Sequence, residues 1–117
     1  MGRARDRQAD VIPGGPALIW CPFPDEESAV AAVNSLLDEK LAACANMIPG
    51  MRSLFEWDGE RTDTRETGVV LKTDAALLDK AIRRLAALHP YREPAITGWR
   101  CDAASPGTAA WLGGLLG

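Results

Sequence analysis

Few side chains in this chain are suited to chemistry. Cys44, His89 and Glu93 are the ones whose types can ligate a metal ion together. A thiolate and an imidazole suit soft or borderline ions such as copper or zinc, and suit hard ions poorly. His89 is the only histidine. It is read either as a ligand or proton carrier in a cleft with Cys44 and Glu93, or as the residue that ends a helix and hydrogen-bonds locally. Cys44 is read either as a thiolate donor or as the small buried apolar residue that a free cysteine usually is. Lys72 and Tyr91 could line an anion or small-molecule pocket. Equally, Lys72 can snorkel from a strand end and Tyr91 can anchor an interface. Trp57, Trp99 and Trp111 read as packing anchors, with Trp57 placed to serve a subunit interface.

Other chemistries find no support. The remaining cysteines, Cys21 and Cys101, show no C-x-x-C spacing with Cys44 and read as core or interface packing. Three free thiols fit a reducing compartment, so a cytoplasmic location is expected. Neither the P-loop nor the dinucleotide glycine pattern is present, and no organic cofactor is expected. No nucleophile, base and orienting group can be named, so the chain does not read as an enzyme. The formal net charge of −3 gives no electrostatic case for nucleic acid. No apolar run approaches a membrane span or follows the N-terminal arginines as a signal segment would, so no membrane partner is expected.

The elements that must position these residues follow from spacing. A chain of 117 residues, 47% hydrophobic and 25% charged, reads as one globular domain. Residues 1–16, with Arg3, Arg5 and Arg7 interrupted by Asp6 and Asp10, read as a flexible tail ending in a Pro/Gly linker. The domain then spans 17–117. Ala17–Cys21 is a short buried strand. Asp25 is placed to cap a helix whose stripe is Ala29, Val30, Val33, Leu36, Leu37 and Leu41. From Leu41 to Thr73 the chain reads as a long two-stranded ribbon turning at Asp58-Gly59, the composition of a type I′ turn. That turn sets Trp57 against Glu60 and Glu56 against Arg61. It also sets Arg52 against Arg65, a clash that a break at Pro49-Gly50 is expected to relieve. Thr73 or Asp74 caps a second helix with Leu77, Leu78, Ala81, Ile82, Leu85 and Leu88 inward, and Pro90 ends it. A strand over 95–101 and a short helix over Thr108–Leu116 complete the chain. The order strand, helix, strand, strand, helix, strand is the split βαβ pattern. It predicts an α+β, ferredoxin-like sandwich with an antiparallel sheet and both main helices on one face.

Several stretches together resemble the CutA family of divalent-cation-tolerance proteins. They are Cys21-Pro22 with Asp25-Glu26, Glu39 to Asn46 with Ile48-Pro49-Gly50, Glu56 to Gly59, Leu71-Lys72-Thr73, His89-Pro90-Tyr91, and Ser105-Pro106 with Trp111-Leu112. They occur in the family's order and cover roughly residues 17–116. The resemblance implies a homotrimer of ferredoxin-like subunits whose ribbon strands pair between copies. It also implies a response to metal ions, with copper or another divalent ion as partner. The chain departs from the family pattern where Arg92 and Ala95 replace acidic residues, which removes carboxylates from any metal site there. Trp20 is bulkier than the residue expected ahead of Cys-Pro, and the run Thr62–Thr67 is unusually polar. The runner-up is a trimeric small-molecule-sensing module resembling the nitrogen-regulatory signalling proteins. Their long effector loop and basic phosphate-binding residues are not visible here.

Overall fold

A strand whose residues alternate between buried and half-buried must separate two different environments. The first strand of the structure, a computed structural model describing residues 13–117, does this. In β1 (Pro16–Phe23), Ala17, Ile19, Cys21 and Phe23 are buried while Leu18, Trp20 and Pro22 are half-buried. It starts one residue before the expected position. Residues 13–16 of the expected tail include two anchored positions: the Gly14 N–H donates to Asp74 Oδ1 at 2.7 Å and the Ala75 N–H donates to the Gly15 carbonyl at 2.8 Å. The rest of the tail lies outside the described residues.

The helix α1 (Glu26–Asp38) begins where Asp25 Oδ1 accepts the Ser28 N–H at 2.8 Å. That bond satisfies a donor the helix start would leave unpaired, and it lowers the Asp25 pKa. Ala29, Ala32, Val33 and Leu36 form its buried stripe. The helix closes with Lys40 at φ +60°, the Leu41 N–H on the Leu36 carbonyl and the Lys40 N–H on the Leu37 carbonyl.

The ribbon is β2 (Cys44–Trp57) and β3 (Glu60–Asp74). Asp58 at φ +53° and Gly59 at φ +81° make the tight turn with positive φ at both positions, and Trp57 faces Glu60 as expected. A register shift falls between Ile48 and Met51, at Pro49-Gly50. It does not separate Arg52 from Arg65, because it lies on the far side of that pair from the turn. The two arginines are reconciled sideways instead. Arg52 makes a two-pronged bond to Asp63 at 2.9 and 2.7 Å, and Arg65 donates to the Gly50 carbonyl at 3.2 Å.

The chain continues through a 3₁₀ turn (Ala75–Leu77) into α2 (Leu78–Leu88), then β4 (Thr97–Arg100) and α3 (Pro106–Gly113). Asp74 caps the 3₁₀ turn by accepting the Ala76 N–H, so the second helix is reached one turn later than expected. The sheet order is β2-β3-β1-β4, and every neighbouring pair is antiparallel. This is the ferredoxin-like α+β arrangement. Residues from α1 and α2 join Ile19, Cys21, Phe23, Val69 and Leu71 in one core. The register puts Leu18, Trp20, Val70, Lys72, Cys44 and Trp99 on the opposite face, which those two helices leave open.

On that open face the Trp20 ring lies over Gly68. A Cβ at 68 would stand 2.6 Å from Trp20 Cη2 and 3.1 Å from Met51 Sδ. The bulk of Trp20 is therefore matched by the missing side chain diagonally across on β3. Gly68→Ala is expected to cost about 1–3 kcal/mol, read as a lower melting temperature, because the rigid indole must move. Shortening the aromatic as well, in Trp20→Leu/Gly68→Ala, should remove the clash, so the two changes should not add.

Candidate functional site

His89 is followed by proline, which disfavours helical geometry at the residue before it. Its backbone is accordingly extended, at φ −73° and ψ 140°, and the side chain turns back onto β1. Nε2 lies 2.8 Å from the Pro22 carbonyl, and Nδ1 accepts the Tyr91 N–H at 3.0 Å. A ring nitrogen that accepts carries no proton, so the other nitrogen is the donor to Pro22. The imidazole stacks on Phe23 with centroids 4.2 Å apart and is 7% exposed. Both nitrogens are thus occupied by the fold.

This arrangement places Tyr91. Its hydroxyl donates to Glu66 Oε2 at 2.8 Å, and its ring lies 5.0 Å from that of His89. Glu66 is only 6% exposed although it is a carboxylate on a ribbon strand. Loss of solvent pushes the Tyr91 hydroxyl up to about 12, with the bond to Glu66 and its charge adding. Burial likewise pushes the Cys21 thiol up to about 12, again with a contribution from Glu66. A groove of about 1190 Å³ opens over this pair, walled by Trp20, Met51, Phe55 and Tyr91 and reaching Trp57 at the ribbon tip. Glu66 was not among the residues singled out from sequence. Its only signal was a carboxylate two residues before a glycine in an otherwise polar run.

The other candidates stand elsewhere. Cys44 opens β2 opposite Lys72 on the open sheet face, half-buried, with Sγ 3.9 Å from Asn46 Oδ1. The same strand β3 pairs Lys72 with Leu18 and Gly68 with Pro22, the residue that holds His89. Four residues of strand at ~3.3 Å each separate those levels by roughly 13 Å. Cys44 and His89 therefore do not meet within one chain. Glu93 is exposed and lines the groove near Tyr91. Among the described residues no group of three histidine, cysteine, aspartate or glutamate side chains could hold a metal ion. The fold brings together His89, Tyr91 and Glu66. It leaves Cys44 with Lys72, and Trp57 at the far end of the groove.

Tyr91 is the only tyrosine, so its phenolate can be followed alone by ultraviolet absorbance. Its titration is expected near pH 12 rather than 10, and Glu66→Gln should move the midpoint back towards 10. Because the folded value is raised, this group's contribution to stability is complete below pH 10. It is lost as the pH rises to about 12. A midpoint of 10 in the folded parent would show that the hydroxyl faces water.

Comparison with known proteins bears on this architecture. The family model described as CutA1 divalent ion tolerance protein matches residues 17–114. The divalent-cation tolerance protein CutA of Pyrococcus horikoshii is 37% identical over 95 residues, covering 81% of this chain and 92% of that protein. The crystal structure of CutA from Xylella fastidiosa is similar with a TM-score of 0.83 at 34% identity, covering 88% of this chain and 99% of that one. A structure described as the periplasmic divalent cation tolerance protein CutA of Archaeoglobus fulgidus is similar with a TM-score of 0.82 at 25% identity, covering 87% and 99%. No helix among the described residues is long and apolar enough to cross a membrane. With the split βαβ fold, the long ribbon and the matched span in agreement, the chain belongs to the CutA divalent ion tolerance family.

Proposed function

We propose that this chain serves divalent-cation tolerance as a homotrimer that binds copper or another divalent ion between its subunits. One observation carries the reading: the ribbon leaves an apolar face and a strand edge uncovered. β2 is an edge strand of 14 residues, and along it Ile48, Leu54, Phe55 and Trp57 are exposed, Trp57 by 65%. A long apolar edge strand is a template for pairing and needs a cover. Another copy of the chain provides one of matching length and chemistry. Cys44, His89 and Glu93 do not converge within one chain, so a metal site built on them takes donors from more than one subunit. On this reading Cys44 is the soft donor each subunit offers, and a second subunit completes the coordination. Glu93 is a further donor at the groove, while His89 supports the fold. Arg92 and Ala95 supply no carboxylate, so affinity is modest.

No catalytic role is assigned, and the cytoplasm is the proposed compartment because three free thiols suit it. The small-molecule-sensing alternative gains no support from the ribbon, whose two-residue turn leaves no effector loop at its tip.

Light scattering at micromolar concentration should give a mass near three chains, and a monomer mass would refute the assembly. Calorimetric titration should show copper or zinc binding and little magnesium binding, weakening as the pH falls because protons compete for the thiolate. Cys44→Ser should abolish most of it. His89→Ala should lower the melting temperature and spare most of the binding. Equal copper binding in the parent and Cys44→Ser would remove Cys44 from the site.

A further inference from the structure

The segment 90–96, between α2 and β4, carries no helix or strand, and Pro90 and Pro94 have no N–H to give. Among the described residues its polar ties to the rest of the chain are two, and Tyr91 makes both. The Tyr91 hydroxyl donates to Glu66 on β3, and the Tyr91 N–H donates to His89 Nδ1. Ile96 holds the far end by packing against the core. The segment is therefore a strap along one wall of the groove, fastened at a single residue.

One of the two fastenings cannot survive a proton. Nδ1 accepts from Tyr91 only while it carries no hydrogen, so the imidazole is neutral with its hydrogen on Nε2. A second proton can go only to Nδ1, where it would point at the Tyr91 N–H. Donor would then face donor. The bond from Nε2 to the Pro22 carbonyl keeps its hydrogen in both states and is strengthened by the charge. Stacking on Phe23 also tolerates a cation. Protonation thus leaves the ring on β1 and frees only the strap.

The surrounding groups leave this role to His89. Asp25 ahead of α1, Glu66 on β3 and Cys21 on β1 are the titratable groups whose charges reach Tyr91, and burial keeps the Cys21 thiol neutral. Arg92 and Glu93 follow on the strap, and the last turn of α2, Leu85 to Leu88, has no titratable residue. Among the described residues only the Tyr91 N–H is bonded to Nδ1.

We propose that His89 is a proton-operated latch: a proton on Nδ1 releases the Tyr91 N–H, the strap lifts and the Tyr91 hydroxyl leaves Glu66, while the ring stays on Pro22. Acid then reshapes one wall of the groove without unfolding the subunit. The device is complete within a single chain and needs neither the trimer nor a metal ion.

A single histidine and a single tyrosine make the test direct. The isotope-labelled full chain is titrated by NMR from about pH 8 to about pH 5, the range over which histidine changes charge. The His89 ring protons, the Tyr91 amide and the Tyr91 ring protons should move with one midpoint. Protection of the Tyr91 amide from hydrogen exchange, corrected for the intrinsic pH dependence, should fall about tenfold across it, the equivalent of one hydrogen bond. In His89→Asn the side-chain oxygen can accept at the Nδ1 position but takes up no proton, so the Tyr91 step should vanish. In Glu66→Gln, which keeps an acceptor for the hydroxyl, the step should remain. A Tyr91 amide that stays put while His89 titrates overturns the latch, as does a His89 ring that takes no proton before the fold is lost. A step that persists in folded His89→Asn, or disappears in Glu66→Gln, places the sensor elsewhere and also overturns it. Where His89→Asn does not fold, the midpoints in the parent and the Glu66→Gln titration still decide.

Discussion

Everything in this molecule depends on the antiparallel pairing of β1 with β3 at the centre of the sheet. The two strands are in register over eight residue pairs, from Pro16 opposite Asp74 to Phe23 opposite Thr67. With a period of two, that register sends Ile19, Cys21, Phe23, Val69 and Leu71 to the helices. It sends Leu18, Trp20, Gly68 and Val70 to the other side. A slip of one residue would exchange the two sets, exposing the core and burying Lys72. The pairing therefore decides at once what is core and what is available for recognition.

The ribbon extends this two-sidedness beyond the body of the domain, and the described chain measures 58 Å in its longest dimension against 28 and 25 Å. Past the shift at Pro49-Gly50, one ribbon face carries Arg52, Glu56, Arg61, Asp63 and Arg65, linked by the Arg52–Asp63 and Arg61–Glu56 pairs. These pairs are exposed and contribute little to stability, but they keep that face wet and soluble. The other face carries Met51, Phe55 and Trp57 opposite Thr62 and Glu66. A two-stranded ribbon is marginal alone, and this one has its apolar side turned towards a groove instead of a core. The asymmetry separates a solvent side from a contact side within one hairpin.

His89 links the helical layer to that contact side. Its two ring nitrogens tie the end of α2 to β1 and the following segment to itself, and Tyr91 carries the connection to Glu66. A histidine in a cleft is commonly considered as a metal ligand. Here hydrogen bonding to both nitrogens and stacking on Phe23 give it a structural occupation instead. The departure at position 92 gains meaning from the same geometry. A guanidinium there is poor at holding a divalent ion but lies beside a groove whose base is a buried carboxylate.

By itself the sequence determined the elements, their order and hence the ferredoxin-like fold, because those are encoded by short-range periodicities, caps and turns. Asp25 as a cap, Asp58-Gly59 as a tight turn and the apolar alternation of β1 are local signals with local causes. The relation of Cys44 to His89 was not encoded locally. It depends on which levels of β3 face Leu18 and Pro22, and on a proline-induced turn of the chain after α2. Residue type grouped them as one candidate site, and the tertiary structure put the strand levels that hold them roughly 13 Å apart at ~3.3 Å per strand residue. Glu66 was equally hidden, since a carboxylate in a polar stretch reads as solvated until its low exposure and its bond from Tyr91 are seen. Burial and partnership are properties of three-dimensional neighbours, and no periodicity along a chain reports them.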